Sequence, residues 1–280
     1  MFDPRFLFAV SRPRFWLYIL GPYMVGLAAG ALTVAEMTSL TAIIFGIFFL
    51  FPANLLIYGV NDVYDFETDR VNPKKQDYEM LVQPAMHRPL MLTIAALNIP
   101  FVVAAYFLVP QALPSLLGFI FFSVFYSSPP IRAKAIPILD SIFNVLYVFP
   151  GAFAYQLLTG SFPPFMMFAA AALWTMAMHA YSAIPDIESD LKAGLATSAT
   201  ALGHHRALVA CAVLWAGAAG MVTALRVLWP WCLLAWCYPV APLVLLLRPP
   251  RDVARAYWYF PWVNAGLGML AFFLLAGPRL

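Results

Sequence analysis

The sequence predicts an all-α polytopic membrane protein, a bundle of nine transmembrane helices. Three observations predict it. Hydrophobic residues make up 63% of the 280-residue chain and charged residues only 10%, against about 25% charged in a soluble domain. The mean hydropathy is +0.82, so the solvent this chain is built for is lipid. The charges are also bunched, and the gaps between bunches have the length of a bilayer crossing, about 20 apolar residues.

Taken in order, the apolar gaps are 15–32, 40–60, 90–109, 112–127, 138–158, 165–184, 208–225, 231–247 and 257–276. The first is long and is followed by further spans, so it reads as a retained helix rather than a signal peptide. The second runs directly into Asn61. The third and fourth part at Pro110-Gln111, and the fifth and sixth at Gly160–Pro164. Pro129-Pro130 stops the fourth before a charged loop. With the N terminus in the cytoplasm, every Lys and Arg except Arg226 and Arg279 falls on the cytoplasmic side, and the C terminus lies outside. A miscounted span would scramble that alternation. The chain therefore reads as one transmembrane domain, 1–280, in the cell membrane. The net charge of +3 gives no case for nucleic acid. Cys211, Cys232 and Cys237 lie in apolar segments without a metal pattern and read as buried small hydrophobes.

Two acid clusters break this pattern. The loop after the second span reads NDVYDFETDRVNPKK, and the loop after the sixth reads IPDIESDLKAG. Four crossings separate them, so they face the same side. On a helix turning 100° per residue, Asp62, Asp65 and Asp69 lie within about 60° of one another. Asn61, Asp65 and Asp69 form an overlapping i, i+4, i+8 row, and Asp186 and Asp190 are also i, i+4. Carboxylates stacked on one face repel unless a cation lies between them. Hard oxygen donors of this kind suit Mg²⁺, which takes carboxylates, waters and phosphate oxygens together. Lys74, Lys75, Arg132, Lys134 and Lys192 supply positive charge on the same side. One cluster alone is usually a solvated face; two with this spacing read as a magnesium-bridged diphosphate site. The intervals do not fit a calcium loop. A transporter would more often carry charge at mid-membrane, yet 91–130 and 141–185 hold no Asp, Glu, Lys or Arg.

These residues resemble a known family. Asn61-Asp62-x-x-Asp65-x-x-x-Asp69 is similar to the first aspartate-rich motif of the UbiA superfamily of intramembrane prenyltransferases. Asp186-x-x-x-Asp190-x-Lys192-x-Gly194, followed by Thr197, Ser198 and Thr200, is similar to its second. The resemblance covers nearly the whole chain. It implies a bundle around a central apolar cavity, with Mg²⁺ and a prenyl diphosphate at the cytoplasmic end and a lipophilic acceptor in the apolar part. Asn61, Asp62, Asp65, Asp69, Asp186 and Asp190 are then the metal set, and Asp65, Asp69, Asp186 and Asp190 the catalytic carboxylates. Lys74, Arg132, Lys134, Lys192 and Arg12 are candidates for the diphosphate. Tyr126 and Tyr181, near the charged ends of the fourth and sixth spans, are candidates to face an allylic cation.

The stretches SRPRFWLY, RVNPKKQ, FYSSPPIRAKAIPILDSIFNVLYVFPG and IPDIESD resemble the lycopene elongase/hydratase branch of the superfamily. That branch implies a C5 cation from dimethylallyl diphosphate attacked by a terminal double bond of lycopene, in acyclic C50 carotenoid biosynthesis. No protein partner is evident. Two alternatives stay open at this level: a relative using an aromatic quinone or chlorin precursor, and an ion transporter with acidic vestibules. His179 receives no role.

Overall fold

The computed structural model describes residues 2–70 and 80–279, and every regular element among them is helical. Among the described residues, seven helices are long and apolar enough to cross a membrane: Leu40–Tyr64, Pro84–Leu108, Pro110–Ser127, Leu139–Thr159, Phe165–Lys192, Ser198–Ala224 and Arg251–Arg279. The protein is an integral membrane protein. By this measure the expected count of nine is not reached. The first expected crossing is a helix of 14 residues, Leu17–Gly30, which rises about 21 Å against a hydrocarbon thickness of about 30 Å. The cause is local: Arg12 takes a left-handed backbone (φ 50°) and Pro13 opens a 3-10 turn, so the α-helix begins only at Leu17. The eighth is the shorter apolar stretch Trp231–Leu245, a 3-10 run followed by a nine-residue helix.

The helices fall into two compact units. The first holds α1 (Pro4–Val10), α2 (Leu17–Gly30), α3 (Val34–Met37), α4 (Leu40–Leu50), α5 (Pro52–Tyr64), α6 (Phe66–Asp69), α7 (Pro84–Leu108) and α8 (Leu113–Ser127), and also the later α10 (Phe149–Thr159). The second holds α9 (Leu139–Ile142), α11 (Phe165–Ala183), α12 (Ile187–Lys192), α13 (Ser198–Ala224), α14 (Cys237–Leu245) and all but the last residue of α15 (Arg251–Ala276).

Phenylalanines form the core of the first unit. Phe45, Phe48 and Phe49 of α4 meet Phe119 of α8 and Phe153 of α10, all fully buried, with centroids 4.7 Å apart for Phe45–Phe153 and 5.6 Å for Phe49–Phe119. The tilted and edge-on ring angles are those the aromatic quadrupole favours. Pro52 breaks the chain between α4 and α5, because it lacks an N–H and clashes with the preceding turn. Buried Asn54 repairs the break: its Nδ2 donates to the carbonyls of Phe49 (3.1 Å) and Leu50 (2.9 Å). Asn98 of α7 donates to the Pro52 carbonyl at 3.3 Å. Asn54 thus satisfies backbone that the proline break leaves open, and Asn98 ties α7 to the start of α5.

In the second unit α11 lies along α13. Trp215 donates its indole N–H to the Trp174 carbonyl at 3.2 Å, and its ring packs against Tyr181, Tyr238 and Phe260. Cys211 and Cys232 are buried as expected, but Cys237 is exposed. It faces outward beside exposed Trp236 and Val240. In lipid an outward apolar side chain loses nothing, so burial within the unit is not required.

Helices α2 and α10 meet backbone to backbone at Gly26 and Gly151. A Cβ at Gly26 would collide with the Gly151 carbonyl, whereas a Cβ at Gly21 would meet nothing within 4 Å. Gly26→Ala is therefore expected to destabilise the protein by roughly 1–3 kcal/mol through overpacking. The check is thermal unfolding in detergent with Gly21→Ala as control; equal melting temperatures for the two variants would refute the close contact.

Candidate active site

The first acid cluster grows from the end of α5. Asn61 and Asp62 occupy its last turn, Asp65 follows it directly, and Asp69 closes α6. The backbone bends at Asp65 (φ −106°, ψ 3°), yet the four-residue step survives the bend. Asp65 N–H bonds the Asn61 carbonyl at 3.0 Å and Asp69 N–H bonds the Asp65 carbonyl at 2.8 Å. The Asn61 side-chain amide links this row to α8, donating to Asp65 Oδ2 (2.5 Å) and to Ser127 Oγ (3.0 Å).

Asp62 and Asp65 are each only 3% exposed. A carboxylate so far from water costs several kcal/mol unless it is matched, and here an arginine stands beside each, in direct contact with Asp62 and at longer range from Asp65. Arg12 Nη2 lies 2.6 Å from Asp62 Oδ1, and its guanidinium sits over the Tyr58 ring at 4.9 Å from the centroid. Arg132 Nη2 lies 3.9 Å from Asp65 Oδ1. Both arginines have positive φ, 50° and 46°, a conformation that a side chain with a Cβ rarely takes. Held strain of this kind clusters at functional sites. The Arg132 Nε–H is buried with no hydrogen-bond partner among the described residues, so the first motif carries a spare, oriented cationic donor. Arg14, by contrast, is exposed.

The second cluster lies in the other unit. Asp186 ends a 3-10 turn after α11, and Asp190 lies within α12, whose last residue is Lys192. Gly194 (φ 70°) ends α12 in the left-handed conformation that only glycine adopts freely. Its N–H bonds the Leu191 carbonyl at 3.2 Å, and Leu195 N–H bonds the Asp190 carbonyl at 2.9 Å, the paired bonds of a Schellman terminus. Three residues on, Thr197 caps α13 in a reciprocal box with Thr200. The segment after the motif is thus a helix-stop and helix-start pair, which sets the length of the acidic turn. Asp186 and Asp190 are half-buried, and Lys192 is exposed.

Of the other expected site residues, Lys134 lies half-buried in a 3-10 turn, Ala133–Ala135. Tyr126 is half-buried on α8. Tyr181 is 2% exposed and packs against Trp215, Tyr257 and Phe260. Lys74 lies outside the described residues. Neither Ser127 nor Tyr58 was singled out from the sequence. Tyr58 stands four residues before Asp62 on the same helix face, and that was its signal; Ser127 had none.

Among the described residues, no three His, Cys, Asp or Glu side chains form a ready cage for a metal ion. Mg²⁺ does not use one: it takes one or two carboxylates and fills the remaining positions with water and phosphate oxygens. The donors in the first motif are hard oxygens, and the cations beside them suit a phosphate, so the residues fit a magnesium-bound diphosphate.

The UbiA prenyltransferase family model matches residues 19–265 of this chain. A lycopene elongase/hydratase from Halobacterium salinarum is 43% identical over 274 residues, covering 98% of this chain and 97% of that protein. A lycopene elongase/hydratase from Haloferax volcanii is 44% identical over 266 residues, covering 95% and 86% respectively. Among solved structures, a UbiA homologue from Archaeoglobus fulgidus bound to DMAPP and Mg²⁺ superposes with a TM-score of 0.73, covering 95% of this chain and 98% of that one. At 22% identity that is a likeness of fold.

The Arg12–Asp62 pair can be tested without substrate. Asp62→Ala leaves a largely buried guanidinium without its carboxylate and is expected to cost roughly 3 kcal/mol. Adding Arg12→Met should recover part of that loss. The double-mutant cycle is read by unfolding in detergent, and strict additivity of the two variants would mean that the pair makes no net contribution.

Proposed function

The chain belongs to the UbiA prenyltransferase family, and from that premise we propose that it transfers the prenyl group of dimethylallyl diphosphate to the ends of lycopene in C50 carotenoid biosynthesis. The observation that carries the acceptor is the likeness, over almost the full length of both chains, to lycopene elongase/hydratases at 43–44% identity. In this reading residues 1–280 act as one domain crossing the membrane nine times. The two shorter apolar stretches, 17–30 and 231–245, provide the remaining crossings. The N terminus and the diphosphate chemistry are cytoplasmic, and the C terminus is outside; the arrangement of Lys and Arg along the chain supports this.

Asn61, Asp65 and Asp69 of the first motif would offer hard oxygen donors to Mg²⁺, and so, in their own unit, would Asp186 and Asp190 of the second. When bound, that ion stabilises charge developing on the departing diphosphate. The protein's own cations take up the rest of that charge. Arg132 offers its buried Nε–H to a phosphate oxygen. Arg12 is oriented by Asp62 and Tyr58, and in this reading Asp62 serves the guanidinium as much as the metal. Lys74, Lys134 and Lys192 complete the basic set.

The bond that breaks is the allylic C–O bond, and its electron pair leaves with the diphosphate. The bond that forms joins the C5 cation to a terminal double bond of lycopene, and the tertiary cation left behind takes up water or loses a proton. Water reaching the C5 cation first would quench it, so the chemistry needs a dry, apolar surround. Aromatic faces such as those of Tyr126 and Tyr181 can stabilise the cation without reacting with it.

Expression in a host that accumulates lycopene and makes dimethylallyl diphosphate should yield C45 and C50 pigments by mass spectrometry. Unchanged lycopene beside membrane-inserted protein would overturn the proposal, and metal flux into sealed vesicles without product would favour transport. Asp65→Ala and Asp190→Ala should each lower turnover by about 100-fold or more in protein that still folds. Chelation should abolish turnover and added Mg²⁺ restore it; a rate indifferent to chelator would remove the metal from the mechanism.

A further inference from the structure

One polar network in the second unit has no part in the chemistry described so far. Asp140, at the start of α9, is fully buried. Its Oδ1 accepts from the Ser141 N–H at 2.8 Å and from the Ser198 hydroxyl in a short hydrogen bond. Its Oδ2 accepts from the Ser198 N–H at 2.7 Å and lies 3.5 Å from His179 Nε2. The Asp140 carbonyl accepts from Asn144 Nδ2 at 2.6 Å. Ser198 Oγ in turn accepts the Ile138 N–H at 2.7 Å.

The partners of this carboxylate bracket the second acidic motif. His179 stands on α11 seven residues before Asp186, two helical turns along the chain. Ser198 opens α13 eight residues after Asp190. The third strand of the network leads to Lys134. Ile138, four residues after that lysine, has φ 75°, a strained value for a β-branched residue. Its N–H is the one that Ser198 Oγ holds. The chain from Lys134 to Asp140 is further braced by backbone bonds, Ile136 N–H to the Ala133 carbonyl and Asp140 N–H to the Ile136 carbonyl, each 3.0 Å.

From this geometry we infer that Asp140 is a positioning residue: through Ser198 and His179 it clamps both ends of the second aspartate motif and braces the turn carrying Lys134. The inference rests on the proposed prenyl transfer, because it takes Asp186, Asp190 and Lys134 as groups that meet the metal and the diphosphate. Groups that orient metal ligands from behind typically change metal affinity 10- to 100-fold when altered. Only a carboxylate fits here. Both oxygens face a backbone N–H, so either orientation of an asparagine amide would set its NH₂ against a donor.

The test uses the full-length protein in detergent, with Mg²⁺ and inorganic pyrophosphate as probe. Thermal stabilisation is titrated against pyrophosphate, and the KM values for dimethylallyl diphosphate and for lycopene are measured beside it. For Asp140→Asn, the pyrophosphate midpoint and the KM for dimethylallyl diphosphate should each rise about 10-fold, with the KM for lycopene near the parent value and the melting temperature without pyrophosphate lowered by the buried donor–donor clash. Ser198→Ala should move the same two quantities, and Ser198→Thr, which keeps the hydroxyl, should restore them. If Asp140→Asn fails to fold, the Ser198→Ala and Ser198→Thr pair decides the matter. The inference is overturned if an active parent gives variants with unchanged pyrophosphate midpoints. It is equally overturned if every parameter falls together with the melting temperature. A parent that neither turns over dimethylallyl diphosphate nor responds to pyrophosphate sinks the underlying functional reading, and the inference with it.

Discussion

A carboxylate at the end of an apolar helix cannot be buried alone. Moving it from water into a low-dielectric surround costs several kcal/mol, and an apolar chain offers little to repay that. Asp62 meets this constraint with Arg12 in direct contact, and Asp65 has Arg132 3.9 Å away. Much of the local structure follows from it. Arg12 reaches Asp62 from a left-handed backbone position, and that departure from helix shortens the first apolar helix to Leu17–Gly30. Arg132 reaches Asp65 from the same kind of position just beyond α8. Cations thus stand beside Asp62 and Asp65, an arrangement suited to a divalent metal with a diphosphate.

The second motif meets its constraint differently. Asp186 and Asp190 are only half-buried, so their placement depends less on ion pairing and more on backbone geometry. Gly194 stops one helix, Thr197 starts the next, and the acidic turn lies before that punctuation. The desolvated charge in this unit sits further back, at Asp140, where hydrogen-bond donors surround the carboxylate. One unit uses arginines to hold buried acids in its motif. The other uses a buried acid to hold the framework of its motif.

Polar groups elsewhere in the bundle follow the same logic. Asn54 repairs backbone opened by Pro52, and Asn98 caps a carbonyl at the start of α5. Gln156 and Ser115 pair with one another inside the first unit, and Gln156 also donates to the Gln111 carbonyl at 3.0 Å. Within lipid each unsatisfied group would cost several kcal/mol, so such residues mark where regular helix ends or bends. Read that way, the scattered Asn, Gln and Ser of the apolar segments serve the backbone, and the chemistry stays with the clustered acids.

The fold class and the family were legible in the sequence alone. Composition and spacing of charge are one-dimensional properties, and lipid imposes them on every span. The i, i+4 row of Asn61, Asp65 and Asp69 was legible for the same reason: helical periodicity is local, and it survives the bend at Asp65. The partners of those acids were not legible. Arg12 and Asp62 stand 50 positions apart, and Asp140 and Ser198 stand 58 apart; only packing joins them. Arg12 read as a candidate for the diphosphate with no sign of its carboxylate partner, and His179 had no role. The aromatic neighbours of Tyr181, Trp215 and Phe260, were likewise brought to it only by packing. Length of helix also escaped the sequence, because apolar residues are equally content in an α-helix, a 3-10 turn or an extended link once lipid or protein surrounds them. Local pattern therefore determined which residues carry charge into the bilayer. Tertiary structure decided which charge each one meets, since the cost of desolvation is settled only by neighbours brought from elsewhere in the chain.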